Sequence, residues 1–110
     1  MQNVVVTLDG ALIKDWPSFH AQSRSAFGFS ELYGATMDAW IDCLSYLRDD
    51  DSMSSIHLEP DQILRIDITN ADAWRVSQPD ILEEMLFCVA GINERYEDYG
   101  EPPALEVKFR

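Results

Sequence analysis

The spacing of apolar and polar positions changes period several times along the chain, and each change marks an element. Val4-Val5-Val6-Thr7-Leu8 is a β-branched run closed by Asp9-Gly10, which predicts a strand followed by a turn. Because the run is continuous rather than alternating, this strand is expected to be covered on both faces. Asp15-Trp16-Pro17 reads as a helix start, with Asp15 as cap and Pro17 in the first turn; the helix should reach Phe27 and stop at Gly28. Thr36 is placed to cap a second helix from Met37 to about Arg48, ahead of Asp49-Asp50-Asp51-Ser52. Ser55-Ile56-His57-Leu58 reads either as a short edge strand or as extended chain. Ile63 to Ile68 alternates strictly and predicts a strand. Thr69 or Asn70 then caps a short helix over 71–76, and Ser77 and Pro79 open a longer one from Asp80 to about Tyr99, ended by Gly100. Ala104 to Phe109 alternates again, as a last strand.

Strands separated by helical crossovers lie parallel. The expected architecture is a single domain over residues 1–110, a three-layer α/β/α arrangement with a small three-stranded parallel sheet flanked by helices.

Charge narrows the function. Twenty Asp and Glu against eight Lys and Arg leave a net charge of −12. Such a chain repels phosphate backbones and anionic lipid, which disfavours nucleic acid and membranes as direct partners and favours a basic protein. No apolar run reaches the ~18–20 residues of a membrane span, and the first residues lack the basic region of a secretory signal, so a cytoplasmic location is expected. The two cysteines, Cys43 and Cys88, sit in apolar helical patterns and read as reduced, buried thiols.

The second helix concentrates the charge. At 100° per residue, with Asp38 at zero, Asp42, Ser45 and Asp49 fall at about 40°, −20° and 20°, flanked by Tyr46 at about 80°. Met37, Trp40, Leu44 and Leu47 fall between about 180° and 260°, with Ile41 at the margin. One face is therefore apolar and the other is a ridge of carboxylates. An ordinary solvated helix face mixes signs because Glu–Lys pairs stabilise it. Here the nearest cation, Arg48, lies on the far side, so the ridge is best explained by something outside the fold.

The segment Tyr33-Gly34-Ala35-Thr36-Met37-Asp38-Ala39-Trp40-Ile41-Asp42-Cys43-Leu44 resembles the signature of the barstar family, intracellular inhibitors of barnase-type ribonucleases. The resemblance implies a stoichiometric inhibitor that places its second helix and the preceding loop in the nuclease cleft. It implies that Asp42 occupies the substrate phosphate site, with Asp38 as a second contact one turn earlier. Tyr33 and Gly34 match the loop covering the guanine-binding side, and Thr36 stands where the family commonly has Asn. Cys43 matches a family cysteine. Ile41 replaces an aromatic before the key aspartate, Leu32 and Leu47 replace two others, and Cys88 stands apart from the family's second cysteine. The acidic contact expected from the last long helix is assigned to Glu94, with Glu97 as the alternative. The expected partner surface is thus Tyr33, Gly34, Thr36, Asp38, Ile41, Asp42, Ser45, Tyr46 and Glu94, with no cofactor, no metal and a monomeric free state.

Other chemistry has weaker support. Consecutive Asp49-Asp50-Asp51 lacks the spaced ligands of a calcium loop, and His57 lacks a second histidine at metal spacing. There is no Gly-x-Ser-x-Gly elbow, and His20 reads as a surface or half-buried residue. Trp16, Trp40, Trp74, Phe19, Phe27, Phe29 and Phe87 read as core. Tyr96 and Tyr99 form either the far wall of a binding surface or a solvated helix end. A metal-dependent hydrolase using Asp38 and Asp42, and an adaptor for another basic protein, are the alternative functions.

Overall fold

Each predicted element forms, and most begin and end for local reasons. The computed structural model describes residues 4–31, 33–49 and 54–110. Strand β1 (Val4–Asp9) runs into a single 3-10 turn at Gly10–Leu12, whose first N–H groups are met by the Asp9 carboxylate on Ala11 N at 3.0 Å. Helix α1 (Trp16–Phe27) opens with a reciprocal cap: Ser18 N donates to Asp15 Oδ1 at 2.9 Å and Asp15 N donates to Ser18 Oγ at 3.1 Å. These bonds hold the Asp15 carboxyl below its usual pKa. Gly28 ends α1 in the left-handed region, at φ 64°. Then follow α2 (Met37–Leu44), β2 (Leu64–Thr69), α3 (Ala71–Ser77), α4 (Pro79–Asp98) and β3 (Leu105–Phe109). Residues 55–59 carry no strand; Ser54 makes one antiparallel bridge to Phe29. Asn70 stands at the N-cap of α3, but its side chain caps nothing there and donates instead to Asp9 Oδ1 at 2.8 Å.

The sheet is parallel, in the order β1-β2-β3, with Val4 opposite Leu64 and Leu64 opposite Leu105. The expected parallel α/β fold is present, but among the described residues no third layer covers the sheet. Val6, Leu8, Leu64, Ile66, Ile68 and Leu105 are buried on one face, while Val5, Thr7, Glu106 and Lys108 are exposed on the other. On that outer face Arg65 and Arg110 both bond Asp67, at 2.8 and 3.3 Å, and hold its carboxyl below its usual pKa. The reason is topological. When strands are added successively toward one edge, crossovers of the usual right hand place all their helices on the same face. The β-branched run of β1 therefore reflects strand propensity rather than double-sided burial.

One continuous core lies between the sheet and the helices, built around Phe19, Phe27, Trp40 and Trp74. Trp40 Nε1 donates to Ser23 Oγ at 3.1 Å, which satisfies the one polar atom of the indole. Trp16 and Phe87 are not core as expected: Trp16 is at the surface, and Phe87 is 75% exposed on the outer side of α4. On that helix the inward stripe is Ile81, Leu82, Met85, Cys88, Val89, Ile92 and Tyr96, and Phe87 falls on the opposite face. Asn93, also on α4, anchors the start of β3 by accepting from Ala104 N and Leu105 N at 3.1 and 2.9 Å and donating to Leu105 O at 3.0 Å.

Gly28 is required twice over, by its positive φ and by the 1.8 Å approach that an added Cβ would make to Ser55 Oγ. Gly28→Ala is therefore expected to cost about 1–3 kcal/mol. Thermal unfolding of the variant checks this, and an unchanged midpoint would show that the loop after α1 relaxes freely.

Candidate functional site: the acidic hollow beside the second helix

Helix α2 is one turn shorter than its period predicts. Thr36 caps its start, accepting from Ala39 N at 3.1 Å, and Asp38 lies in the first turn, where the helix dipole favours an anion. The other end is set from outside. The Tyr96 hydroxyl, on α4, donates to Leu44 O and accepts from Leu47 N, both at 3.0 Å. In a continuing helix Leu44 O would accept from Arg48 N; Tyr96 takes that acceptor and the chain turns away. Ser45 adds a local break by donating its hydroxyl to Ile41 O at 2.6 Å. Residues 45–48 form turns, and Leu47 still reaches the core, fully buried.

Arg48, expected on the far side of the helix, is indeed turned away, and its side chain is only 6% exposed. It donates to Pro102 O at 2.8 Å and Gln62 O at 2.9 Å, lies 3.4 Å from Glu101, and stacks over the Tyr96 ring at 5.2 Å. The guanidinium thus ties the end of α2 to the segment entering β3. Burial pushes the Tyr96 hydroxyl pKa up, so it stays protonated and able to donate.

Between the turn after α2 and the last turn of α4 lies a hollow of about 760 Å³. Asp42, Ser45, Tyr46 and Asp49 line it from one side and Arg95, Asp98, Tyr99 and Glu101 from the other. The four carboxylates outnumber Arg48 and Arg95, so the wall is acidic. Tyr46 and Tyr99 are exposed on opposite sides, the combination of aromatic and charged groups found at binding anchors. Tyr99 therefore belongs to a wall, and Tyr96 is buried beneath it as a strut. The expectation that the carboxylate ridge has no compensating cation is corrected here. Arg95 Nη1 stands 3.7 Å from Asp42 Oδ1 and 3.2 Å from Ser45 Oγ. Both charged side chains are half exposed, so this pair is worth at most about 1 kcal/mol.

The other expected site residues are distributed along the same edge. Asp38 is exposed and close enough to α4 to influence Cys88, so α2 runs alongside α4 with Asp38 near one turn and Asp42 near a later one. Ile41 is half buried against the core. Glu94 is exposed but does not line the hollow; its neighbour Arg95 does. Leu32, and Asp50 and Asp51 of the acidic run, lie outside the described residues. Among the described residues no three His, Cys, Asp or Glu side chains are grouped to hold a metal.

Ahead of α2, the loop that carries Tyr33 is fastened by an unexpected residue. His20 is buried, not superficial, and its Nδ1 is hydrogen-bonded to the Tyr33 hydroxyl. Its ring stacks on Trp16 at 5.8 Å, and Tyr33 also packs on Phe29 at 4.7 Å. Burial raises the Tyr33 pKa and lowers that of His20. Next in line, Gly34 is exposed, and a Cβ there would meet nothing within 4 Å. Ala35 holds a left-handed φ of 53°, a conformation that costs a non-glycine residue roughly 1–2 kcal/mol. Both cysteines are buried and free, with Cys88 pushed up to about 11 by burial and Glu84, and Cys43 raised by burial and Asp42.

A family model described as Barstar (barnase inhibitor) matches residues 3–108, nearly the whole chain. The chain belongs to the barstar family. No curated protein matches it. Members of this family are inhibitors rather than enzymes and bind a ribonuclease. In this barstar-family chain the helix that carries the signature is the one bordering the acidic hollow.

Two expectations follow from the geometry. Tyr96→Phe removes the hydroxyl and leaves Leu44 O and Leu47 N buried without it, which should cost about 1–3 kcal/mol in chemical denaturation; a variant as stable as the parent would show that the hydroxyl does not hold the end of α2. The second concerns pH. His20 binds protons less readily folded than unfolded, so its contribution is intact above pH 6.5 and declines as pH falls below 6.5 toward the lowered folded value. Stability measured from pH 7.5 to 5 should fall more steeply for the parent than for His20→Gln, and parallel curves would remove His20 as the source.

Proposed function

We propose that this chain is a cofactor-free, stoichiometric inhibitor of a basic ribonuclease or ribonuclease-like toxin, acting in the cytoplasm as an immunity protein. It blocks the active site by placing carboxylates where RNA phosphate would lie. The observation that carries this reading is the position of Asp42. It is exposed in the last turn of α2, at the edge of an acidic hollow, on a chain whose net charge is −12. The negative ends of helix dipoles disfavour an anion there, and a cleft built to bind polyanionic RNA supplies the missing positive charge. A carboxylate accepts the same guanidinium and imidazolium donors as a phosphate but offers no phosphodiester to cleave.

The surrounding residues serve the same contact. Asp38 sits one turn earlier on the same side of α2, and Tyr46 brings aromatic area beside Asp42. Tyr33, fixed from behind by His20, and Gly34, with open space where a side chain would be, let a partner approach the loop backbone closely. Thr36 is occupied by its cap and acts by fixing the start of the helix.

The test is inhibition of purified guanyl-specific and toxin-type ribonucleases, titrating this protein against fixed enzyme. One-to-one loss of activity is expected. Asp42→Ala should weaken binding by at least ~30-fold without lowering thermal stability, the usual effect of truncating one partner of a desolvated charge pair. The founding complex of this family is among the measured cases behind that range. Association should slow as salt is added. Inhibition that survives Asp42→Ala unchanged would remove Asp42 as the anchor, and a folded protein that inhibits no ribonuclease would point to a different basic partner.

A further inference from the structure

Arg95 is placed unlike any other cation on this surface. Arg48, the only other cation lining the hollow among the described residues, is buried and committed to Pro102 O, Gln62 O and Glu101. Arg95 is half exposed and shares Asp42 Oδ1 with the solvent. Ser45 orients it: the serine hydroxyl has a single proton, given to Ile41 O, so toward Arg95 it can only accept. The guanidinium is thereby held at the carboxylate on which the proposed inhibition depends.

We propose that Arg95 determines the specificity of this surface by competing with an incoming cation for Asp42. An arginine approaching Asp42 must share a carboxylate oxygen with Arg95 and tolerate a like charge beside it. A cleft that is basic throughout meets that repulsion in full. A cleft that brings one cation to Asp42, and leaves the position facing the end of α4 uncharged or acidic, does not. The partner class is therefore a nuclease whose cleft is basic over the phosphate site and not beyond it on the α4 side. This inference rests on the reading of Asp42 as anchor.

The test uses a barnase-type ribonuclease with a basic cleft as probe, comparing dissociation constants at one fixed ionic strength. Arg95→Glu should bind about tenfold tighter than the parent or better, Arg95→Ala should fall between, and Arg95→Lys should stay within about threefold. Arg75→Glu changes net charge equally but lies against Phe109, at the opposite end of β3 from Glu101, and should also stay within about threefold of the parent. In an Asp42→Ala background most of the Arg95→Glu gain should vanish. The proposal is overturned if Arg95→Glu binds no tighter, if Arg75→Glu gains as much, or if the gain persists without Asp42. Loss of binding on Asp42→Ala alongside an inert Arg95→Glu would remove this inference and leave the inhibitory reading standing. An Asp42→Ala that binds like the parent removes both.

Discussion

The Tyr96 hydroxyl fixes where the functional helix stops, and much of the site's electrostatics follows from that point. By donating to Leu44 O and accepting from Leu47 N, it ends α2 after eight residues and lets Leu47 drop into the core. The chain then turns, so Tyr46 and Asp49 come to face the end of α4 across a hollow instead of continuing up a helix. Early termination also places Asp42 in the last turn, among carbonyl ends that carry partial negative charge. A longer helix would have left Asp42 in mid-helix, where the dipole is indifferent to it. One buried phenol thus creates both the concave shape and the demand for a cation.

That demand is met from two directions. Inside the molecule, Arg95 offers a long, half-exposed contact that offsets the local charge weakly. Outside it, the basic cleft of the proposed partner would offer several donors and exclude water, which strengthens each of them. The difference between a screened internal pair and a desolvated external one is what makes an intramolecular cation a tunable competitor rather than a permanent mask. Arg48 shows the contrast: buried, with two carbonyls and a carboxylate as partners, it belongs to the scaffold and is not available to exchange.

Much of this was legible in the chain. The individual strands and helices, the caps at Asp15 and Thr36, the Gly28 stop and the acidic face over Asp38 and Asp42 follow from local chemistry, because each is set by the residues of its own segment. What was not legible depends on residues far apart. The end of α2 is decided by Tyr96, 52 positions from Leu44. The burial of His20 comes from Trp16 and from Tyr33 on another segment. Arg95 is not legible as a site residue, because charge sign on the last helix favours Glu94 and the rotation of α4 against α2 is set by long-range packing. The missing third layer was foreseeable in principle, since strand order and crossover hand together dictate a single covered face, but strand order is itself a long-range property.

The loop before α2 shows the same division between what folding needs and what it leaves open. Gly28 must be glycine for the chain to fold as it does, since a side chain there meets Ser55. Gly34 is under no such constraint, because its missing Cβ would touch nothing in the protein. Ala35 beside it occupies a left-handed conformation that glycine would adopt at less cost. If stability alone governed this loop, the two residues would be better exchanged: glycine at the strained position and alanine at the free one. Their actual order puts the bare backbone next to Tyr33, on the exposed approach to Asp38. Glycine at a position the fold leaves open, beside an alanine in a costly conformation, is the arrangement expected of the partner-facing loop proposed above, where close backbone approach matters more than stability.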